Sequence, residues 1–330
     1  MNILDSLLSV FSIIEPYVDY TTKFNQEIDI LINNSYNRIL NLSENEVKEI
    51  NKSTVQSIAY TVRIILSYDT KLMNKYYEEI MLNYHWRCLT SKILEKRIKG
   101  ITSLNNILDY LEKKERGYDF SSDENEPEEK LVNFNQKTFL LYFKAKGILE
   151  EFLGEKIHEE ILKRSSPIFK LFTRFNALNK NYFDQLLKIR IELHESFAKQ
   201  VEIVICDLCS FLNEEDKLYL YSQIIGLNEE KYDLKFLIFL KNFSLNSLSG
   251  LHHSLNNTEK QTNLYGIPLF WKVMQDDFKI ITKDTNYIDT CVHFVFELLF
   301  DSYVSFSVIE EYIKLCIENL KNVNTIYYLE

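Results

Sequence analysis

The stretch GILEEFLGEKIHEEILKRSSPIFKLFTRFNALNKNYFDQLLKI, Gly147 to Ile189, decides the fold class. Ile148, Leu149, Phe152 and Leu153 stand at i, i+1, i+4 and i+5, which puts them on one face of a helix. Gly154 follows where a left-handed residue closes a helix with least strain. Ile157, Ile161 and Leu162 begin a second apolar stripe, and Ser166-Pro167 then sets a capping hydroxyl ahead of a proline at the first helical position. The third helix that starts there has Ile168, Leu171, Phe172 and Phe175 as its face. Asn179 stands where it caps a fourth, which carries Phe183, Leu186 and Leu187. Helices this short are not stable alone, so they must stack on one another.

The same punctuation runs outward. MNILDSLLSVFSIIEP opens the chain as an amphipathic helix: it lacks a positive first segment, holds Asp5 within its apolar run, and ends at Glu15-Pro16 with no small-residue cleavage site. Ile28, Leu31, Ile32 and Ile39 keep helical spacing. Ser43-Glu44-Asn45-Glu46 has the S-x-x-E form of a capping box, and one helix follows with Val47, Ile50, Ile58, Val62, Ile65 and Leu66 inward and Lys48, Glu49, Lys52 and Arg63 toward solvent. Asp69 caps the next, with Leu72, Met73, Tyr76, Tyr77 and Ile80 as its face, reaching Trp86 or beyond. From Ser91 the period is Leu94, Ile98, Ile101, Leu104, Leu108 and Leu111.

Downstream, Phe197, Val201, Val204, Ile205, Leu208 and Leu212 define a long helix. Asn213 begins another with Leu218, Tyr221 and Ile224, and a further one holds Leu234, Leu237, Phe239, Leu240 and Phe243. Gly266-Ile267-Pro268 opens a helix with Phe270, Trp271, Val273 and Met274. The last two carry Ile288, Val292, Val295, Phe296 and Leu299, then Val308, Ile309, Tyr312, Ile313, Cys316 and Leu320. IAYTVRIIL and FLIFL are locally rich in β-formers, but the long helical periods around them read both as helix.

With only 7 Gly and 4 Pro in 330 residues, few turns need special backbone angles, which favours helices joined by short polar links. The expected fold is all-α, whether as one elongated domain or two compact ones. Two stretches break the pattern. KKERGYDFSSDENEPEEK, residues 113–130, holds five carboxylates between Asp123 and Glu129 and reads as an acidic flexible loop, and Asn246 to Asn263 is polar and aperiodic. The chain is therefore divided into helical repeats over 1–112, the acidic loop over 113–130, and a helical-repeat region over 131–330. Restarts at Ser43, Ser91, Asn135 and Asn179 fall 48, 44 and 44 residues apart, close to the period of armadillo and HEAT units. An α-solenoid of such repeats follows, in which each unit buries its apolar faces against its neighbours.

A net charge of -10 and a pI near 5.3 argue against nucleic acid or an anionic membrane as partner, since both demand clustered Lys and Arg. No stretch approaches the ~18 uncharged apolar residues of a membrane span. Cys88, Cys206, Cys209, Cys291 and Cys316 are odd in number and sit mainly on apolar helix faces, so reduced thiols in the cytoplasm are expected.

The Gly147–Ile189 stretch also resembles the non-catalytic helical region of the large ubiquitin-specific proteases of the fat-facets type. The resemblance lies in Ile148-Leu149, Phe152-Leu153-Gly154, His158, Glu160-Ile161, Arg164-Ser165 and Asn176-Ala177-Leu178. It extends to LEKRIKGITSLNNIL (Leu94 to Leu108), HESFAKQVEIVICDLCSFLNEEDKLYL, YDLKFLIFLKNFSLNSL, LYGIPLFWKVMQDD and EEYIKLCIENLKN, covering Lys92 to Asn322. It is specific in the combination of these blocks, each of which alone is an amphipathic helix.

That family hydrolyses the isopeptide bond after the terminal glycine of ubiquitin with a thiolate, a His that takes its proton and an Asp or Asn that orients the His. Its nucleophile box reads Gly-x-x-Asn-x-Gly-Asn-Thr-Cys. Only Asp289-Thr290-Cys291 keeps the Thr, and the glycines of the box are missing. The Gly-His-Tyr core of the His box has no counterpart, because His293-Phe294 and His85-Trp86 lack the glycine. Cys291 and His293 are i and i+2 on a helix, about 200° apart around its axis. No catalytic residue carries over.

Metal chemistry fares no better. Cys206-Asp207-Leu208-Cys209 is a single C-x-x-C inside a helix, without a second pair or a His at finger spacing. His158-Glu159-Glu160 lacks the second His of H-E-x-x-H and reads as a ring satisfying a backbone group at a helix junction. The adjacent rings of His252 and His253 point in different directions. No metal, cofactor or catalytic site is expected. The expected function is that of a scaffold recruiting protein partners, ubiquitinated clients among them. The rival expectations are a fragment of an active cysteine deubiquitinase whose catalytic domain lies elsewhere, and a generic armadillo-type adaptor.

Overall fold

The computed structural model describes residues 3–14, 26–67, 69–118, 134–226, 233–249, 265–274, 285–300, 304 and 306–322. Among these the chain is all-helical, with seventeen helices and no strand. It forms two compact units, Met1–Leu171 and Phe172–Glu330.

The first unit contains α1 (Ile3–Ile14), α2 (Gln26–Leu40), α3 (Glu44–Glu49), α4 (Lys52–Ile65), α5 (Thr70–Leu89), α6 (Leu94–Glu115), α7 (Gln136–Lys146), α8 (Ile148–Leu153), α9 (Glu159–Leu162) and most of α10 (Ser166–Arg174). Its centre is α5, which packs on α2, α4 and α6, while α1 packs on α4. The amphipathic stripe expected at the start of α5 gives way to burial on all sides over Met81–His85. Ile58, Ala59, Val62 and Ile65 of α4 and Ile80, Met81 and Tyr84 of α5 share one core with Ile32 and Ile39 of α2. Removing each of the Ile, Val and Met side chains among them from water contributes roughly 1.5–3 kcal/mol.

The caps read from the sequence are present: Ser43 closes a capping box with Glu46, Asp69 accepts from the N–H groups of Lys71 and Leu72, and Asn135 closes a box with Thr138. Other expectations are corrected. The single helix after Ser43 is two, because Ile50 is extended (φ -69°, ψ 132°) and its carbonyl is taken by Nζ of Lys96, 2.9 Å away. Ser91 does not cap α6. Ile93 occupies that position, and Ser91 Oγ instead donates to Glu44 at 2.9 Å. The left-handed glycine is Gly147 (φ 67°, ψ 45°), which ends α7 and begins α8, whereas Gly154 is extended (φ -80°, ψ -171°). Gly154 is needed for closeness instead, since a Cβ there would lie 2.6 Å from the Glu150 carbonyl oxygen. α10 takes its first bond one residue early, from Phe169 N–H to the Ser165 carbonyl at 3.1 Å.

The second unit contains the end of α10, α11 (Lys180–Glu192), α12 (Glu195–Cys209), α13 (Glu214–Ile225), α14 (Leu234–Ser249), α15 (Ile267–Met274), α16 (Thr285–Leu299) and α17 (Phe306–Asn322). α12 packs on α11 and α14, and α16 on α14 and α15. Asn179 caps α11 by accepting from Tyr182 N–H, as expected. Phe175, by contrast, is exposed beyond the end of α10.

Three expected stripes hold in part. α13 buries Ile224 as expected, with Lys217 and Leu220, but turns Leu218 out; α14 buries Leu237, Phe239, Leu240 and Phe243 as expected, with Phe236, and exposes only Leu234; α16 buries Val295 and Leu299 as expected, with Cys291, Phe294 and Leu298, while Phe296 is exposed. α14 also continues to Ser249, with Ser247 and Leu248 buried, so the polar stretch begun at Asn246 is helical in its first residues. Its remainder, 250–263, lies outside the described residues. So do 119–130 of the acidic stretch, whereas residues 113–115 still belong to α6. No helix among the described residues is long and apolar enough to cross a membrane.

Candidate functional site

Among the described residues a cavity of about 740 Å³ lies in the second unit, between α12 and α14, with the C-terminal end of α11 beside them. Two caps set its edges. Leu193 ends α11 in an extended conformation, and His194 starts α12 by accepting the Ser196 N–H on Nδ1 at 3.2 Å. Asp233 Oδ1 accepts the Phe236 N–H at 2.8 Å and so starts α14.

Aliphatic side chains stand along the groove in the open: Leu193 is 40% exposed, Ile203 46% and Ile238 43%. A charged clamp forms part of its lining. The Arg190 guanidinium bonds Glu202 Oε1 through Nε (2.8 Å) and a terminal nitrogen (2.7 Å), and lies 5.6 Å from the Phe236 ring centre and 5.2 Å from that of Phe239. It thereby ties α11 to α12 and α14. Lys235 pairs with Glu195 at the exposed rim.

The electrostatics follow from this crowding of carboxylates. Burial raises the Glu202 carboxyl above its usual range. Arg190 opposes that, and Asp233 and Glu195 add to it. The bond to Glu195 raises the Lys235 ammonium, with Asp233 and Glu202 contributing. Burial raises the Cys206 thiol, and Cys209, Glu202 and Asp207 push the same way.

The expected candidates are placed as follows. Cys206 lines the groove, while Cys209 is fully enclosed with its Sγ 3.1 Å from the Ile205 carbonyl, and burial pushes its thiol up to about 12. His158 caps α9 by accepting the Glu160 N–H on Nδ1 at 3.1 Å, the junction role read from the sequence. Cys291 is buried with its thiol pushed up to about 12 by burial, whereas His293 projects outward beside Glu297. A thiol held in its neutral form and a ring on the other side of the helix do not make a nucleophile and its base. His85 and Cys88 are buried in α5. His252, His253 and the Cys316 side chain lie outside the described residues. No group of three or more metal-ligating side chains comes together among the described residues.

Arg190, Glu202 and Asp233 were not singled out from the sequence. A signal existed for two of them, since Arg190 stands between Ile189 and Ile191, and Glu202 between Val201 and Ile203. Charge set within an apolar run on a packed helix implies a partner on another element. Comparison of the chain with protein-family models, with curated proteins and with solved structures finds no match.

Proposed function

We propose that this chain is a non-catalytic helical scaffold that works by binding protein partners through the α12–α14 groove. The observation that carries the reading is the row of exposed Leu193, Ile203 and Ile238 beside the Arg190–Glu202 clamp. Single exposed aliphatics are ordinary, but several along one preformed groove mark an interaction site.

The finer reading is an armadillo/HEAT-like solenoid equivalent to the non-catalytic amino-terminal region of a fat-facets-type ubiquitin-specific protease, acting in the cytoplasm on ubiquitinated clients. Within the first unit α1 packs on α4 and α2 on α5, and within the second α11 packs on α13, α12 on α14 and α14 on α16. Contacts between helices two or three apart are what stacked repeat layers make, and they support that reading.

A photo-crosslinking residue at Ile203 tests the binding face. Capture of ubiquitin chains or a ubiquitinated client, lost on Ile238→Asp, is the expected result, and no protein captured in cells counts against it. A ubiquitin-vinyl-sulfone probe should leave the chain unlabelled. A covalent adduct would overturn the non-catalytic assignment.

A further inference from the structure

We infer that the groove receives a basic amphipathic helix of a partner protein, its aliphatic side chains on Leu193, Ile203 and Ile238 and its flanking Lys or Arg against Glu195, Asp207 and Asp233. The inference rests on the groove being a protein-binding face and specifies the partner.

Charge decides the sign. The lining holds four carboxylates (Glu195, Glu202, Asp207, Asp233) against three cations (Arg190, Lys199, Lys235). Two pairs offset each other, since Arg190, with only 13% of its side chain exposed, is turned onto Glu202 and two aromatic rings and Lys235 pairs with Glu195, so the lining keeps one carboxylate in excess. Three groups report the field. Burial raises Glu202 and Cys206 first; Arg190 opposes the rise at Glu202 while Asp233 and Glu195 add to it, Cys209, Glu202 and Asp207 add to the rise at Cys206, and carboxylates beyond Glu195 also favour the Lys235 ammonium. A groove with this field attracts cations and repels phosphates, which disfavours nucleic acid and anionic lipid. It equally disfavours a second copy of this chain seated by the same face, since the two acidic rims would meet.

Shape decides the class. The exposed aliphatics come from the end of α11, from α12 and from α14, so they line the seam between packed helices instead of closing over a small molecule. α12 has 15 residues and offers a seam about 22 Å long. A third helix laid along such a seam, with its apolar side chains at i, i+3 or i+4 and i+7, is the helix-in-groove mode of recognition.

The test uses the full chain and two fluorescent synthetic helices that share one leucine stripe, one flanked by lysine and the other by glutamate. Anisotropy should show the lysine peptide binding at least about tenfold more tightly, as two or three rim ion pairs at low salt would give. The preference should shrink at high salt. Asp207→Asn with Asp233→Asn keeps the α14 cap and should remove most of it, while Ile203→Ser should weaken the lysine peptide with helicity unchanged by circular dichroism. Equal affinity for the two peptides, or binding of neither, overturns the basic occupant. If the crosslinker at Ile203 still captures ubiquitin chains or a ubiquitinated client in that case, and Ile238→Asp abolishes the capture, the scaffold reading stands and only the partner's chemistry falls. If it captures none, both fall.

Discussion

Gly100 of α6 rests on the backbone of Leu89 in α5: a Cβ on Gly100 would lie 2.6 Å from the Leu89 nitrogen and 2.8 Å from the His85 carbonyl oxygen. The two helices meet main chain to main chain at that point, and neither obstacle is a side chain that could swing aside.

Gly100→Ala should therefore destabilise the protein, although alanine is the better helix former by about 1 kcal/mol. Overpacking a close helix crossing costs about 1–3 kcal/mol or more, so the net sign is loss. A lower urea midpoint checks it. A midpoint raised by the substitution would show that α5 and α6 do not approach this closely.

Gly266→Ala should cost more than Gly117→Ala. Both glycines have positive φ, 88° and 76°, so each alanine bears the left-handed penalty of about 1–2 kcal/mol. A Cβ on Gly117 meets nothing within 4 Å, but one on Gly266 lies 2.8 Å from Ser244 Oγ and 3.2 Å from a carbon of Leu240. Ser244 cannot easily yield, because its hydroxyl is bonded within the core to the Leu240 and Tyr265 carbonyls. Thermal unfolding of the two variants side by side gives the ranking.

Two carboxyls should act on stability with opposite signs as pH changes. The Ser43 hydroxyl and N–H and the Arg38 guanidinium hold Glu46 below its usual range. Its contribution is therefore full above the ordinary carboxylate range and is lost as pH falls through the lower folded value. Glu46→Gln should flatten the acid limb of a plot of Tm against pH. Glu202 is raised instead, so its contribution is full at low pH and is lost as pH rises through its folded value. Glu202→Gln should remove that loss.

The four thiols with described surroundings should be inert in the native protein. Cys88, Cys206, Cys209 and Cys291 are buried, and burial raises each one, so almost no thiolate exists at neutral pH. Iodoacetamide followed by peptide mass analysis should find them unmodified until urea is added. Rapid native alkylation of Cys206 would mean that the groove exposes a reactive sulfur.

What the sequence determined by itself lies mostly within one helical turn, with Ser91 and Gly154 as exceptions. Ser43, Asp69, Asn135 and Asn179 cap the helices they appeared to cap, because a capping side chain bonds an N–H two or three residues away and needs nothing else. The all-helical class follows from the same local periods. Tertiary structure decided the rest. Lys96, 46 residues away, takes the Ile50 carbonyl at the break between α3 and α4, and Arg190 finds Glu202 across a helix boundary to form part of the groove.

The choice of buried face also belonged to packing. A period of 3.6 residues cannot distinguish the Leu218 stripe of α13 from the one beside it, and the decision falls to Lys217, whose Nζ bonds Glu214 at 2.9 Å and reaches the Ser247 carbonyl of α14 at 3.2 Å. A lysine offered to the core looks wrong in one dimension. It is stable because Glu214, one turn earlier on α13, and the Ser247 carbonyl of α14 receive it, and that carbonyl arrives only once the chain has folded.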